Sequence, residues 1–316
     1  MKATVAVCTW NRASLLDQTL TAMRRLHIPE GFDWELLVVN NNCTDDTDAV
    51  IAKHSAALPI KRLFEPVSGQ SNARNCAIQH AAGDWIVWTD DDVLVDADWL
   101  GAFAQTAARF PKAVAIGGRV EPWFPSEPDP DLLTAFHVLR IGYCGVDHGL
   151  EERPLNAGEL IAGANMAYDA NFARGVLFDP RFGRKKDFQG GGDDLAYFSA
   201  IQAMGALAVW SPQMLVRHYV APERMTLAYL KRYFADAGEQ EILAKGIPAG
   251  ARLFGVPRWL LRRQLEGLVV SLCSRVVTNR TASLLRQRDY WLVKGMVRGC
   301  IKLRRAAFSC SPESSI

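Results

Sequence analysis

The sequence predicts an α/β protein with a central, mostly parallel mixed sheet covered by helices, followed by a basic helical extension. Short Val/Ile/Leu/Trp-rich runs alternate with amphipathic stretches, which is the order of a sheet covered on both faces. Polar clusters stand at the ends of three of those runs, where such sheets bind ligands. Charge is also divided along the chain. Residues 252–305 carry thirteen Lys/Arg against Glu266 and Asp289, a balance of +11. Only Glu313 is charged after that, so a total of +2 leaves −8 for the first 251 residues.

The elements follow in order. Residues 3–8 read as a buried strand ending at the polar cluster Thr9, Asn11 and Arg12. Ser14 with Asp17 has capping-box spacing, ahead of the stripe Leu15, Leu16, Leu20 and Met23. Leu36–Val39 is a second strand, ending at Asn40, Asn41 and Asn42, and Thr44 or Asp45 caps the next helix. Ile60–Phe64 is a third strand, and Ser71 caps a helix that closes at Gly83. Trp85–Trp88 is a fourth strand, with Asp90, Asp91 and Asp92 at its end. A helix over 99–110 and a strand over 113–116 come next. From Gly117 to about Arg184 the pattern loosens around Pro122, Pro125, Pro128 and Pro130. A helix over 193–204, strands over 206–210 and 214–218, and a helix over 225–245 complete this part.

No run of eighteen apolar residues occurs and the first residues lack a cleavage site, so neither a transmembrane helix nor a signal peptide is expected. The seven cysteines include no CxxC pair, which speaks for a reducing compartment rather than a zinc or disulfide framework.

On a strand, Asp90 and Asp92 share a face about 7 Å apart, with Asp91 turned away. At an effective dielectric near 20 their repulsion is about 2 kcal/mol, which a divalent cation reverses. Oxygen ligands suit Mg²⁺ or Mn²⁺. A solvated turn is the competing explanation of the triplet, and its place on a rim with two other polar clusters favours the metal. Asp193 and Asp194 follow Gly190, Gly191 and Gly192; they fit a ligand site or, alternatively, a helix N-terminus. His218 ends an apolar strand and is a metal ligand or a structural histidine.

These residues resemble inverting family 2 glycosyltransferases of the GT-A fold, over about residues 3–245. Cys8-Thr9-Trp10-Asn11-Arg12 resembles the family's T-x-N-R loop, and Val38 to Asp45 its V-V-D-N-x-S-T-D segment. Gly69 to Ile78, Trp88 to Asp92, Gly192-Asp193-Asp194 and the stretch from His218 through Arg224, Tyr229 and Gly238 resemble its later motifs in order. The resemblance implies that Thr9, Asn11, Arg12, Asn40 and Asn42 line the nucleotide pocket, with Arg74 and Asn75 near base or phosphates. It implies that Asp90 and Asp91 stand on the nucleotide-sugar side, that Asp92 and His218 hold Mn²⁺ or Mg²⁺, and that Asn165 belongs to a loop flooring the sugar pocket. Asp194, with Asp193 beside it, is implied as the general base of a single, inverting, metal-dependent sugar transfer.

Two residues depart from the family pattern. Asn40 stands where an Asp is usual, which leaves nucleotides other than UDP open, and Asp193 stands for a Glu. The Q-x-x-R-W string of processive members is absent, so one sugar per reaction is expected. The expected donor is a nucleotide-diphosphate sugar, UDP-linked by preference, and the expected acceptor a cell-surface or lipid-linked glycan. A nucleotidyltransferase of related fold and a non-catalytic sugar-nucleotide-binding protein are the alternatives.

The expected domains are 1–245 and a basic amphipathic extension, 246–316. In the extension Leu261, Leu265, Leu268 and Leu272 keep helical spacing beside Arg258, Trp259, Arg262 and Arg263. A second stretch from Tyr290 to Arg305 interleaves Trp291, Leu292, Val293, Met296 and Ile301 with five basic residues. Such helices either lie on an anionic membrane or pack on the catalytic domain. The first use makes the protein cytoplasmic and peripheral on the inner face of the cell membrane. No motif for nucleic acid accompanies the charge.

Overall fold

The computed structural model describes residues 1–128, 139–143, 145–182 and 192–309. Pro130, Gly190, Gly191 and Glu313 lie outside the described residues. The chain divides into two compact units, Met1–Pro125 with Cys144–Lys185 and Asp193–Val220, and Ser126–Tyr143 with Lys186–Gly192 and Ala221–Ile316.

The first unit is built on one mixed sheet. Its strands are β1 (Lys2–Thr9), β2 (Asp33–Asn40), β3 (Ile60–Phe64), β4 (Trp85–Asp90), β5 (Val93–Val95), β6 (Ala115–Trp123), β7 (Arg153–Pro154), β8 (Asn165–Asp169) and β9 (Ala208–Tyr219). They lie in the order β3-β2-β1-β4-β8-β6-β9-β5, with β7 on β9. The half β3-β2-β1-β4 is parallel, and β8 enters antiparallel between β4 and β6. Helices α1 (Ala13–Met23), α2 (Thr47–His54), α3 (Gln70–His80), α4 (Trp99–Arg109), α5 (Ala170–Gly175) and α6 (Asp193–Ala203) connect or flank the strands. Two apolar clusters form the core. One gathers Val5, Val7, Leu16, Leu20, Leu36, Trp99 and Phe103; the other gathers Ala6, Leu37, Val39, Trp88, Met166 and Phe198. The parity of the numbers shows why: alternate residues of one strand face opposite sides, and both sides are buried.

Several boundaries differ from the expected ones for identifiable reasons. The strand expected over 113–116 runs on to Trp123 as β6. Gly117 and Gly118 mark close approach there, not an end: a Cβ at Gly117 would sit 2.6 Å from Ile161 Cγ1, and one at Gly118 2.3 Å from the Met214 carbonyl. The two strands expected over 206–218 are a single β9 with an irregular register, Gly118 facing Ser211 but Arg119 facing Leu215. Pro212, which has no N–H, falls in the unpaired stretch. The capping box at Ser14 does not form, because α1 starts at Ala13 and has no side-chain cap of its own. Asp45 takes that role from a distance. Its Oδ2 accepts from Ala13 N at 2.9 Å and its Oδ1 from Thr47 N at 3.2 Å, so one carboxylate serves the starts of α1 and α2. Ser71 is likewise inside α3, whose N-cap is Gly69, and its hydroxyl donates to the Phe182 carbonyl.

The second unit contains α7 (Leu227–Lys245), a two-stranded hairpin β10 (Arg252–Leu253) and β11 (Val256–Pro257), α8 (Arg258–Val277) and α9 (Arg280–Ser309). The last of its segments, Ala221–Ile316, includes α7 with the C-terminal helices, where the sequence division fell at 245. Glycines make the α7–α9 contact intimate. A Cβ at Gly238 would lie 2.0 Å from the Leu292 carbonyl oxygen, and one at Gly295 1.8 Å from that of Ala235. Ile242, Val293, Val297 and Cys300 pack beside them with Val256 and Leu260. Arg298 pairs with Asp236 and Glu239, and Lys302 donates to Glu239 at 3.0 Å. The stretch from Tyr290 to Arg305 therefore packs and pairs within this unit. Gly295→Ala is expected to destabilise the protein by about 3 kcal/mol, the upper end for overpacking, because backbone cannot retreat as a side chain can. Urea unfolding followed by far-UV circular dichroism measures this; an unchanged midpoint would refute the backbone contact.

Candidate functional site

Strand register assembles the site. Thr9 faces Asn40 across β1–β2, and Cys8 faces Asp90 across β1–β4, so three polar clusters share the carboxyl rim of the parallel half. The chain turns at Asp91–Asp92 and returns as β5, which pairs antiparallel with β9 and sets Val93 opposite His218. That pairing, with Tyr219 N donating to the Asp92 carbonyl at 2.8 Å, brings His218 to the triplet. Thr19 pins the turn from α1: its hydroxyl donates to the Asp91 carbonyl at 3.0 Å and accepts from Val93 N at 3.2 Å.

Asp90, Asp92 and His218 each offer a ligand atom, and the three atoms lie within 4.8 Å of one another. His218 Nε2 stands 3.6 Å from Asp90 Oδ2 and 3.4 Å from Asp92 Oδ1. His218 Nδ1 is 2.8 Å from the Tyr219 carbonyl, which can only accept, so Nδ1 carries the proton. Nε2 is then the ring nitrogen turned toward the two carboxylates. Asp92 Oδ1 is buried without a hydrogen-bond partner. An orphaned carboxylate oxygen, a second carboxylate and an imidazole nitrogen, all converging, fit a divalent cation. Metal dependence was expected from Asp92 and His218; the geometry adds Asp90 to the same cluster.

Asp91 is turned from this cluster, as alternation requires. Arg12 Nη1 reaches its Oδ1 at 3.1 Å and Asp92 Oδ2 at 2.8 Å. Burial pushes the Asp91 carboxyl up to about 6, against the pull of Arg12 and the Thr9 hydroxyl.

On the other side of Asp90 lies Arg74, 3% exposed. Its Nη1 donates to Asp193 Oδ2 at 2.7 Å, and its Nη2 stands 3.6 Å from Asp90 Oδ1. Burial works against the guanidinium charge, yet Asp193, Asp90 and Asp194 hold it protonated beyond its ordinary range. Burial also raises the Asp193 carboxyl, and Arg74 opposes that rise. The arginine links the triplet to α6. Asp194, in the first turn of α6, accepts from Leu195 N at 2.8 Å through Oδ1 and from Gly163 N at 2.9 Å through Oδ2. Gly163 leaves the space between Arg74 and Asp194 open, since a Cβ there would meet Arg74 Nη2 at 2.5 Å and Asp194 Oδ2 at 3.1 Å.

The other expected residues fall into two groups. Asn11 and Asn42 are exposed on the rim in left-handed backbone, φ 51° and 60°, a conformation Asn tolerates better than most residues. Asn11 Oδ1 accepts from Thr44 N at 2.7 Å. Asn40 is buried beneath them: its Oδ1 accepts from Cys43 N and its Nδ2 donates to Asp48 Oδ1, both at 2.8 Å. Asn75 and Asn165 serve the fold. Asn75 exchanges both hydrogen bonds with the Phe178 backbone. Asn165 is fully buried; its amide donates to the Arg119 and Met214 carbonyls at the irregular β6–β9 register, and its oxygen accepts from Trp99 Nε1. It plugs a gap in the sheet instead of flooring a sugar pocket. Among the residues that sequence reading missed, Asp48 matters most. An acid one helix entry beyond the unusual Asn40 was the available signal for Asp48.

Residues 4–125 match the model described as glycosyl transferase family 2. The succinoglycan biosynthesis protein ExoM of Rhizobium meliloti (strain 1021) is 27% identical over 238 residues, 73% of this chain and 71% of that protein. The validoxylamine A glucosyltransferase of Streptomyces hygroscopicus subsp. limoneus is 30% identical over 131 residues, 40% of this chain but only 28% of that protein. Among solved structures, the mannosyltransferase PcManGT from Pyrobaculum calidifontis, in complex with GDP-Man and Mn²⁺, aligns with a TM-score of 0.60 at 18% identity, covering 94% of this chain and 86% of that one. S. aureus TarS 1–349 in complex with UDP aligns with a TM-score of 0.54 at 15% identity, covering 97% and 92%. At such identities the structures establish the GT-A fold alone.

Proposed function

From the premise that the chain belongs to glycosyl transferase family 2 and is an enzyme, we propose that it moves one sugar from a nucleotide-diphosphate sugar to an acceptor hydroxyl with inversion. The observation that carries the reading is the convergence of Asp90, Asp92 and His218, joined through Arg74 to Asp193 and the anchored carboxylate of Asp194.

In this reading Asp90, Asp92 and His218 hold Mn²⁺ or Mg²⁺, whose chemistry is to neutralise charge on the diphosphate leaving group. Asp194 accepts the proton of the acceptor hydroxyl as that oxygen attacks the anomeric carbon from the face opposite the diphosphate. The Gly163 and Leu195 N–H groups hold its carboxylate in place during the attack. Arg74 and Asp193 position the two acidic groups against each other. Thr9, Asn11, Asn40 and Asn42 form the nucleotide rim, and Arg12 aligns Asp91 and Asp92. The donor is UDP-linked by preference. TarS with UDP and PcManGT with GDP-Man and Mn²⁺ are folded alike, which supports the donor class and the ion. The acceptor is a cell-surface or lipid-linked glycan, supported by the similarity to a succinoglycan biosynthesis protein, and the enzyme works at the cytoplasmic face of the membrane.

Thermal-shift measurements with nucleotide diphosphates test the site directly. With Mn²⁺ present, the cognate nucleotide at about 100 times its Kd should stabilise the native state by about 2.7 kcal/mol, and chelation or Asp92→Asn should remove most of that gain. If no nucleotide diphosphate stabilises the protein with Mn²⁺ or Mg²⁺, the proposal fails.

A further inference from the structure

From Leu265 on, helix α8 is amphipathic with the wrong side out. Ser271 and Ser274 are buried on its inner side, where Ser274 Oγ lies 3.3 Å from Ser283 Oγ of α9 and Gln287 Nε2 donates to Ser283 Oγ at 3.1 Å. Its outer side carries Leu265, Val269, Leu272 and Val276, between 51% and 88% exposed. Steps of four, three and four residues put these on one line along the helix, with Leu268 and Cys273 flanking it. Continued toward the N-terminus by the same steps, that line meets Arg262 and then Arg258, both exposed, with Arg263 in the same turn. The hairpin before α8 adds Leu253 and Phe254, the latter 76% exposed at a turn with φ 52°, and Trp259 opens the helix beside them. Nine of the large apolar residues exposed among the described residues thus fall within 253–276.

Burying hydroxyls and an amide while exposing leucines and valines is unfavourable if water is the outer medium. The arrangement becomes favourable when the outer face meets a medium more apolar than the helix interior. The charge around it selects which medium. The segment 252–305 carries +11, so a second copy laid on this face would bring like charges together, whereas an anionic surface would meet opposite ones. The apolar line from Leu265 to Val276 is about 17 Å long at 1.5 Å per residue, enough to lie in a bilayer interface and too short to span one. Among the described residues, no helix is long and apolar enough to cross a membrane.

We propose that the outer face of α8, with the Leu253–Phe254 turn, docks on an anionic lipid bilayer, the apolar line entering the acyl boundary and Arg258, Arg262 and Arg263 meeting lipid phosphates. For its biological purpose the docking rests on the lipid-linked acceptor proposed above; as a binding surface it stands on its own residues.

The test uses the full chain and sedimentation with vesicles of phosphatidylcholine alone or mixed with phosphatidylglycerol. Binding is expected to the mixed vesicles only, weakening as salt is added. Leu272→Glu with Val276→Glu should reduce it by roughly tenfold or more, and Arg258→Glu with Arg262→Glu should abolish the preference for phosphatidylglycerol. Because all four side chains are exposed, Mn²⁺-dependent stabilisation by nucleotide should persist in both variants, which separates failure of the docking from failure of the transferase reading. Absence of binding to the mixed vesicles overturns the proposal. So does a self-associated species, seen by analytical ultracentrifugation, that the Leu272→Glu/Val276→Glu variant dissociates, since the face would then belong to a second copy.

Discussion

Replacing Asp194 by Asn is expected to lower kcat by about 10²- to 10⁴-fold while leaving donor affinity essentially as it was. The carboxylate is fastened at both oxygens by the Leu195 and Gly163 N–H groups, and it borders Arg74 across the gap left by Gly163. An amide keeps the shape but cannot take up the acceptor's proton, and its NH₂ would face a backbone donor at a cost of about 1 kcal/mol. Steady-state rates, with donor binding measured separately by calorimetry, distinguish the outcomes. Donor binding lost together with turnover would place Asp194 on the nucleotide side and remove it as the base.

The second large effect concerns stability. Arg74→Leu should destabilise the fold by about 3–5 kcal/mol, because it strands the buried Asp193 carboxylate. The guanidinium serves two acids with separate nitrogens and lies over the Phe178 ring, its carbon 5.1 Å from the centroid. Lysine offers neither the fork nor the stacking plane, so Arg74→Lys should recover only part of the loss. Combining Arg74→Leu with Asp193→Asn should recover more, since the stranded charge goes with its partner. Denaturant midpoints for the three variants decide this. A double variant no more stable than Arg74→Leu alone would show that the loss is one of packing, not of charge.

The parallel half of the sheet was legible in the sequence because strands buried on both faces are continuous apolar runs, as in Leu36–Val39 and Trp85–Trp88. Their polar ends were legible for the same reason: a run that stops abruptly at Thr9, Asn40 or Asp90 marks the rim. His218 could be found by its place at a strand end, but its meeting with Asp90 and Asp92 depends on β5 pairing with β9, and β5 is only three residues long. The destinations of side chains were hidden. Asn75 bonds to a backbone 103 residues away and Asn165 to carbonyls 46 and 49 residues away, and no local pattern announces such partners. Caps misled where the bonding carboxylate came from another loop, as Asp45 does for α1. In the C-terminal helices periodicity was correct, but it does not say which side faces out, and from Leu265 on the buried residues of α8 are Ser271 and Ser274.

Position 40 bears on how related chains should be compared. Asp48 Oδ1 sits 2.8 Å from the Asn40 amide, and Arg62 donates to both oxygens of the same carboxylate. A carboxylate at both positions would set two like charges in contact, so the residues at 40, 48 and 62 form one unit of meaning. Asn40 thus gives the rim a neutral donor that ties it to an acid already paired with a cation.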